Sequence, residues 1–319
     1  MKSYGFQNSS HQSMQSHINN TIEPRKIDIN YELSILRTSF ENAIRPLCAE
    51  SLPYVADSSF RPENWLITFP YNFSSSFKDE SPELIRKIAL INAIYLVFFL
   101  REDDVLDEYH LPREQYRDLL LEMCNAHSLR NLAVGQLLHL CGNDVYSYLF
   151  DYEQKYYNAL IWEKSQHLVT LECMLEKENL KWLGYKLQPL GLTYAGFCIK
   201  VGAANNIKLC EQLLLSYHIA KQLSDDINDL RGDLTRPDKS YLIRACEQSL
   251  QRTDMTISMI KDTLIARGFD KKILATIRHH LHKAKENALE LDFRFFLGHI
   301  KKAEKHIEAT DRLWINESS

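Results

Sequence analysis

The sequence predicts an all-α protein, a single bundle of long helices around a central cavity. Three observations carry that expectation. Glycine is scarce, with ten among 319 residues, so the chain has few tight turns to make. Apolar residues recur at helical spacing over long runs, whereas no stretch sustains the alternation of a half-buried strand. No unit repeats at a fixed period, which disfavours a solenoid and leaves a bundle.

The elements follow in order along the chain. Residues 1–25, rich in Ser, Asn, Gln and His, read as a disordered leader, and 26–319 as one domain. A first helix covers Tyr31 to Glu50. An irregular stretch with Pro53, Pro62 and Pro70 follows it. Ser81-Pro82-Glu83 combines a capping hydroxyl, a first-turn proline and an early acid, and opens a helix that runs to about His110 before Pro112. Further helices are expected at 113–140, 143–176, 179–202, 207–232, 239–267 and 270–313, with Asn143, Asn206 and Asp270 as caps and Gly268 as a stop.

Composition excludes several classes. A net charge of -4 offers no basic field for nucleic acid. The longest apolar stretch, Ala89 to Leu100, is too short to span a bilayer, and no signal-peptide core is seen at the N-terminus. Seven scattered cysteines without metal spacing predict reduced, mostly buried thiols. The expected location is the cytoplasm.

Two acidic clusters carry the chemistry. Asp103-Asp104-Val105-Leu106-Asp107-Glu108 follows directly on the apolar run 89–100, and Asp225-Asp226-Ile227-Asn228-Asp229 continues to Asp233. Residues four apart share a helix face, so Asp103 pairs with Asp107, and Asp225, Asp229 and Asp233 form a ladder. Like charges at that spacing repel unless cations lie between them. Oxygen-only ligands favour Mg²⁺, which keeps waters and is completed by substrate phosphates. Asp103, Asp104, Asp107, Asp225, Asp229 and Asp233 are thus the candidate metal residues, and a diphosphate the candidate substrate.

Gln222-Leu223-Ser224-Asp225-Asp226-Ile227-Asn228-Asp229-Leu230-Arg231-Gly232-Asp233 resembles the second acidic motif of the class I isoprenoid synthases, the superfamily of prenyl diphosphate synthases and terpene cyclases. The synthase pattern fits Gln222, Asp225, Asp226, Asp229, Gly232 and Asp233. The cyclase pattern places its three ligands on Asp225, Asp229 and Asp233. The resemblance covers roughly residues 80–315, and implies the isoprenoid synthase fold, three Mg²⁺ ions and a linear prenyl diphosphate. A homodimer is compatible with it.

The resemblance also supplies basic residues. Lys181 matches the placing of a diphosphate-sensing lysine in the synthases, with Lys177 second, since the cyclase position falls on Asn179. Arg231, Arg236 and Lys239 flank the second acidic cluster and can neutralise phosphate oxygens, and Lys239-Ser240-Tyr241 resembles the basic segment that follows it in the synthases. Arg312 stands near the cyclase arginine, although Leu313-Trp314 follows it in place of tyrosine.

Elongation needs a second diphosphate site. The synthases build it from a Gly-Lys-Arg-like segment and a double arginine, whereas this chain has Arg45-Pro46 without Gly-Lys, and Arg113 and Arg117 apart. The expectation is therefore a terpene synthase, a lyase that ionises a prenyl diphosphate, fifteen carbons favoured and twenty allowed, and releases a hydrocarbon or alcohol. The alternative is a short-chain prenyl diphosphate synthase, with a noncatalytic subunit behind it. Tyr95, Phe98, Phe99, Trp162, Tyr194 and Phe197 are the expected lining for a carbocation, with Phe98 and Phe99 as its floor. His279-His280-x-His282, among lysines and arginines, reads as a solvated helix face rather than a metal site.

Overall fold

The computed structural model describes residues 27–46, 60–107, 116–165, 169–236 and 239–317, with the side chains of Asp107, Tyr116, Arg117 and 311–317 outside the description. The predicted leader also lies outside it. Every regular element among the described residues is helical, and none of these helices is long and apolar enough to cross a membrane.

Helix α1 (Ile29–Ile44) is capped by Asp28, whose Oδ1 accepts from the backbone N of Asn30 at 3.1 Å and of Tyr31 at 3.3 Å. It ends before Pro46, short of the expected Glu50. Helix α2 (Pro82–Asp107) starts where the capping signal placed it, with Ser81 Oγ accepting from Leu84 N at 3.1 Å. Arg86 on α2 forks onto both carboxylate oxygens of Glu32 on α1 at 2.8 Å, a bidentate geometry that fixes their register. Helices α3 (Tyr116–Cys141), α4 (Tyr146–Ser165), α5 (Lys177–Tyr185), α6 (Gly191–Lys200) and α7 (Ile207–Asn228) follow. The chain continues with α8 (Tyr241–Leu250), α9 (Ile257–Ala266), α10 (Phe269–Glu290) and α11 (Arg294–Glu317).

α7 is the central element. It packs against α5, α6, α8, α10 and α11, while α2 packs against α1, α3 and α6. The stretch 89–99 of α2 is nearly all buried, as its apolar surroundings on every face required.

Four expected helical runs are broken, one of them where Pro189 and Gly191 already mark an interruption in the sequence. The 143–176 run stops at Ser165 and resumes as a short turn, Leu171–Met174. The 179–202 run is interrupted at Gln188-Pro189, where the missing N–H of proline ends one helix and a 3₁₀ turn leads into the next. The 239–267 run breaks after Gln251, at φ 52°, and the 270–313 run at Asp292, at φ 53°. Each residue is a left-handed helix cap closed by local backbone bonds, Arg252 N to the Glu247 carbonyl at 3.1 Å and Phe293 N to the Ala288 carbonyl at 2.8 Å. At Asp292 the reason is visible: the bend drives Phe293 and Phe296 into the core against Phe69, and Ser75 and Ser76 donate to the carbonyls freed at Asp292 and Leu291. Asn72, 1 % exposed, completes the joint by accepting from Phe296 N at 2.9 Å. Gly268, at φ 66°, makes the expected stop before α10, and Asp270 sits in the first turn rather than at the cap.

Candidate active site

The C-terminal ends of α2 and α7 bring the two acidic clusters to one cleft of about 230 Å³, lined by Asp103, Asp225, Asp229 and Asp233. α7 itself stops at Asn228. The ladder nonetheless survives the break, because Asp229 N bonds to the Asp225 carbonyl at 2.8 Å and Asp233 N to that of Asp229 at 2.9 Å. Those i to i−4 bonds keep all three carboxylates on one face.

Charge in the cleft is only partly compensated. Burial chiefly raises the pKa of Asp233, Arg236 at 3.4 Å opposes the shift, and the Asp229 and Asp225 charges add to it. Asp225 pairs with Lys221 one turn back. Among the described residues no three Asp, Glu, His or Cys side chains are grouped tightly enough to close on a single ion. Four oxygen donors spread around an open cleft fit hydrated Mg²⁺ completed by phosphate, and do not fit an all-protein cage.

Asp226 does something different from its neighbours. It is 2 % exposed, accepts from Gln222 Nε2 and from Leu242 N, each at 3.0 Å, and burial pushes its carboxyl up to about 7. Leu242 N belongs to the first turn of α8, whose N–H groups have no partner within the helix. Asp226 therefore caps α8 from α7 and holds the far wall of the cleft. The pattern Asp-Asp did not distinguish this inward carboxylate from the outward Asp225.

The cationic rim differs from the sequence expectation. Lys164, Lys186, Arg236, Lys239 and Arg244 line the cleft. Lys239 pairs with Glu247 and donates to the Thr253 carbonyl at 3.2 Å. Arg244 donates to the carbonyls of Lys239 and Glu163, each at 2.7 Å, tying the segment before α8 to the end of α4. Lys186 bonds Glu163 at 2.8 Å. Spacing had favoured Lys181, but Lys181 pairs with Glu178 and faces another groove, since the break at Gln188 and the turn at Leu171–Met174 change which residues of this region reach the cleft. Lys186 could have been found only by knowing that α5 ends at Tyr185.

Arg231 is exposed and does not line the cleft. Asp104 is exposed on the face of α2 beside Asp103. Asp107 ends α2, and Arg312 lies on α11, with both side chains outside the described residues.

The expected aromatic lining divides into three groups. Tyr95, Phe98 and Phe99 pack on one another and on Tyr156, with Tyr95 Oη donating to Glu153 at 2.9 Å. Tyr194 and Phe197 pack on Phe73, on the side of the core closed by Phe293. Trp162 meets Tyr241. Tyr194 and Phe197 are wholly buried, with Phe73 and Phe77 of the aromatic segment 60–77 packed beside them. Tyr95, Phe98 and Phe99 lie one to two turns before Asp103 on α2, are themselves buried, and do not line the acidic cleft.

This architecture, with two helix ends presenting carboxylates to one cleft, is the class I isoprenoid synthase fold. Heptaprenyl diphosphate synthase from Staphylococcus aureus superposes with a TM-score of 0.63 at 14% identity, over 87% of this chain and 98% of that one. A geranylgeranyl pyrophosphate synthetase from the archaeon Geoglobus acetivorans gives 0.63 at 16% identity, over 88% and 98%. No protein-family model matches the chain, and no curated protein does. The expectation of a terpene lyase is overturned, for these two structures are prenyl diphosphate synthases, which are transferases. That expectation had leaned on the missing second basic cluster, a negative sign read partly from segments, such as that around Arg113, that lie outside the described residues.

Proposed function

We propose that the chain is a Mg²⁺-dependent prenyltransferase that condenses an allylic prenyl diphosphate with isopentenyl diphosphate. The observation that carries this reading is the meeting of Asp103 with Asp225, Asp229 and Asp233 in one cleft rimmed by lysines and arginines. The likeness of the fold to two prenyl diphosphate synthases supports it.

Asp103 on one wall and Asp225, Asp229 and Asp233 on the other would hold the cations, with Lys164, Lys186 and Lys239 directed at diphosphate oxygens from the rim. Bound Mg²⁺ supplies charge neutralisation of the leaving diphosphate. As the allylic carbon–oxygen bond breaks, diphosphate keeps the electron pair. The isopentenyl double bond attacks the allylic carbon, and loss of one proton restores an alkene in a product five carbons longer. Phe98 and Phe99, buried roughly 6 to 7.5 Å behind Asp103 along α2, would close the path of the growing tail and limit its length.

The chain is further proposed to act as a homodimer. Tyr146, Phe150 and Ile161 form one exposed apolar stripe on α4.

The test is incubation of the purified protein with ten-, fifteen- and twenty-carbon allylic diphosphates, with and without isopentenyl diphosphate, with Mg²⁺ or with chelator. A longer prenyl diphosphate that appears only with isopentenyl diphosphate and Mg²⁺ is expected, and turnover should fall by orders of magnitude in Asp225→Asn, Asp229→Asn. Failure of every pair to elongate, with the protein folded and Mg²⁺ present, would overturn the reading.

A further inference from the structure

Lys181 and the His279-His280 pair have no part in the acidic cleft, yet they meet elsewhere. A groove of about 920 Å³ runs between α5, α7 and α10, a size within the range of small-molecule pockets. Leu180, Leu215 and Ile219 give it an apolar floor. Two helices then present basic residues four apart to the same space: Lys177 and Lys181 from α5, His279 and Lys283 from α10. Glu286 is the only acidic side chain among the described lining residues.

This combination differs from the acidic cleft in kind. There an anion needs bridging cations, whereas here ammonium groups face the groove directly. Lys181 pairs with Glu178, 71 % exposed, and stands 5.0 Å over the Trp182 ring; a surface pair of that sort contributes little and yields readily to a better anion. A bare phosphate would use the lysines and leave the floor wet. A neutral hydrocarbon would cover the floor and leave the lysines without an anion.

We propose that the groove binds an anionic amphiphile, a phosphate or diphosphate headgroup on a single hydrocarbon chain, independently of divalent metal. The headgroup lies between the α5 and α10 basic pairs, and the chain runs along Leu180, Leu215 and Ile219. α7 carries both sites, this groove along its middle and the acidic cleft at its C-terminal end. Occupancy here therefore has a rigid element through which to reach the cleft.

The experiment uses dodecyl phosphate below its micelle concentration, titrated into the full chain in chelator by calorimetry, with inorganic phosphate and dodecanol as the separate arms for charge and for tail. One saturable site is expected, with both partial ligands weaker by about tenfold or more. Lys177→Glu, Lys181→Glu, Lys283→Glu together should weaken dodecyl phosphate by a similar factor, while Asp225→Asn, Asp229→Asn should bind it as the wild type does. If the triple variant does not fold, Lys283→Glu alone, at an exposed position, should shift the affinity in the same direction. Wild-type affinity in the lysine variants, loss of binding in the aspartate variant, or equal affinity for inorganic phosphate alone would overturn the proposal.

Discussion

His218 shows how one residue ties chemistry to stability. Burial foremost, then the charges of Lys186 and Lys221, depress its pKa to about 3, while hydrogen bonding to the backbone at Gly184 and Leu183 works the other way. The folded state thus holds the ring neutral, and the unfolded state binds a proton below about 6.5. A depressed folded pKa gives stability that is present above the unfolded value and lost as pH falls toward the folded one. The urea midpoint should therefore drop between pH 7 and pH 4.5. His218→Gln should flatten that limb in part, while His280 and His299, both pushed down to about 4 by burial, still act in the same direction and Asp226, raised to about 7, acts against them. Equal slopes in variant and wild type would remove His218 from the account. Asp226, at the same scale, illustrates the opposite sign, its carboxyl raised by burial against the lowering effect of the hydrogen bonds from Gln222 and Leu242.

Among elements, the contact of α5 with α7 has the least room for change. A Cβ built on Gly184 would lie 2.4 Å from Leu215 Cδ1 and 2.9 Å from the Leu215 carbonyl oxygen. The second contact is with backbone, which cannot rotate away. Gly184→Ala should then cost roughly 1–3 kcal/mol, read as a lower urea midpoint. Gly298 on α11 makes the contrast, since nothing lies within 4 Å of its Cβ position. Gly298→Ala should be neutral or stabilising, because alanine loses less backbone freedom than glycine on entering a helix. The same α5–α7 contact sets one wall of the groove proposed for an anionic amphiphile, so Gly184→Ala is also expected to alter dodecyl phosphate affinity.

For the whole molecule, the feature left unexplained by a single chain is apolar surface. Tyr146, Phe150 and Ile161 on α4 are 54 %, 73 % and 66 % exposed, and they fall on one side of a helix whose other side buries Leu149, Tyr152 and Tyr156. Leu120 and Leu121 on α3 add further exposed apolar area. A homodimer that buries the α4 stripe accounts for its pattern. Sedimentation at micromolar protein should show a dimer, and Phe150→Glu should yield monomer with unchanged helicity. A wild-type monomer would show that the stripe serves something else.

Legible in the sequence were the all-helical class, the start of α2 at Ser81, the stop at Gly268 and four of the carboxylates that line the cleft, Asp103, Asp225, Asp229 and Asp233. These are local properties: periodicity, capping chemistry and the spacing of like charges on one helix face are complete within a few turns of chain. Long-range contacts set the break at Asp292, where Ser75, Ser76 and Asn72 bond the joint and Phe293 and Phe296 enter the core. The tertiary structure also decided which cations face the acids. Lys181 and Lys186 sit on the same stretch of chain, and what sends one to a groove and the other to the cleft is the turn after Tyr185 and the close approach of Gly184 to Leu215. The lyase expectation met the same limit, since it rested on basic residues missing from their expected spacings along the chain. A second anion site is assembled from segments distant in sequence, and spacing along one chain cannot report what folding brings together.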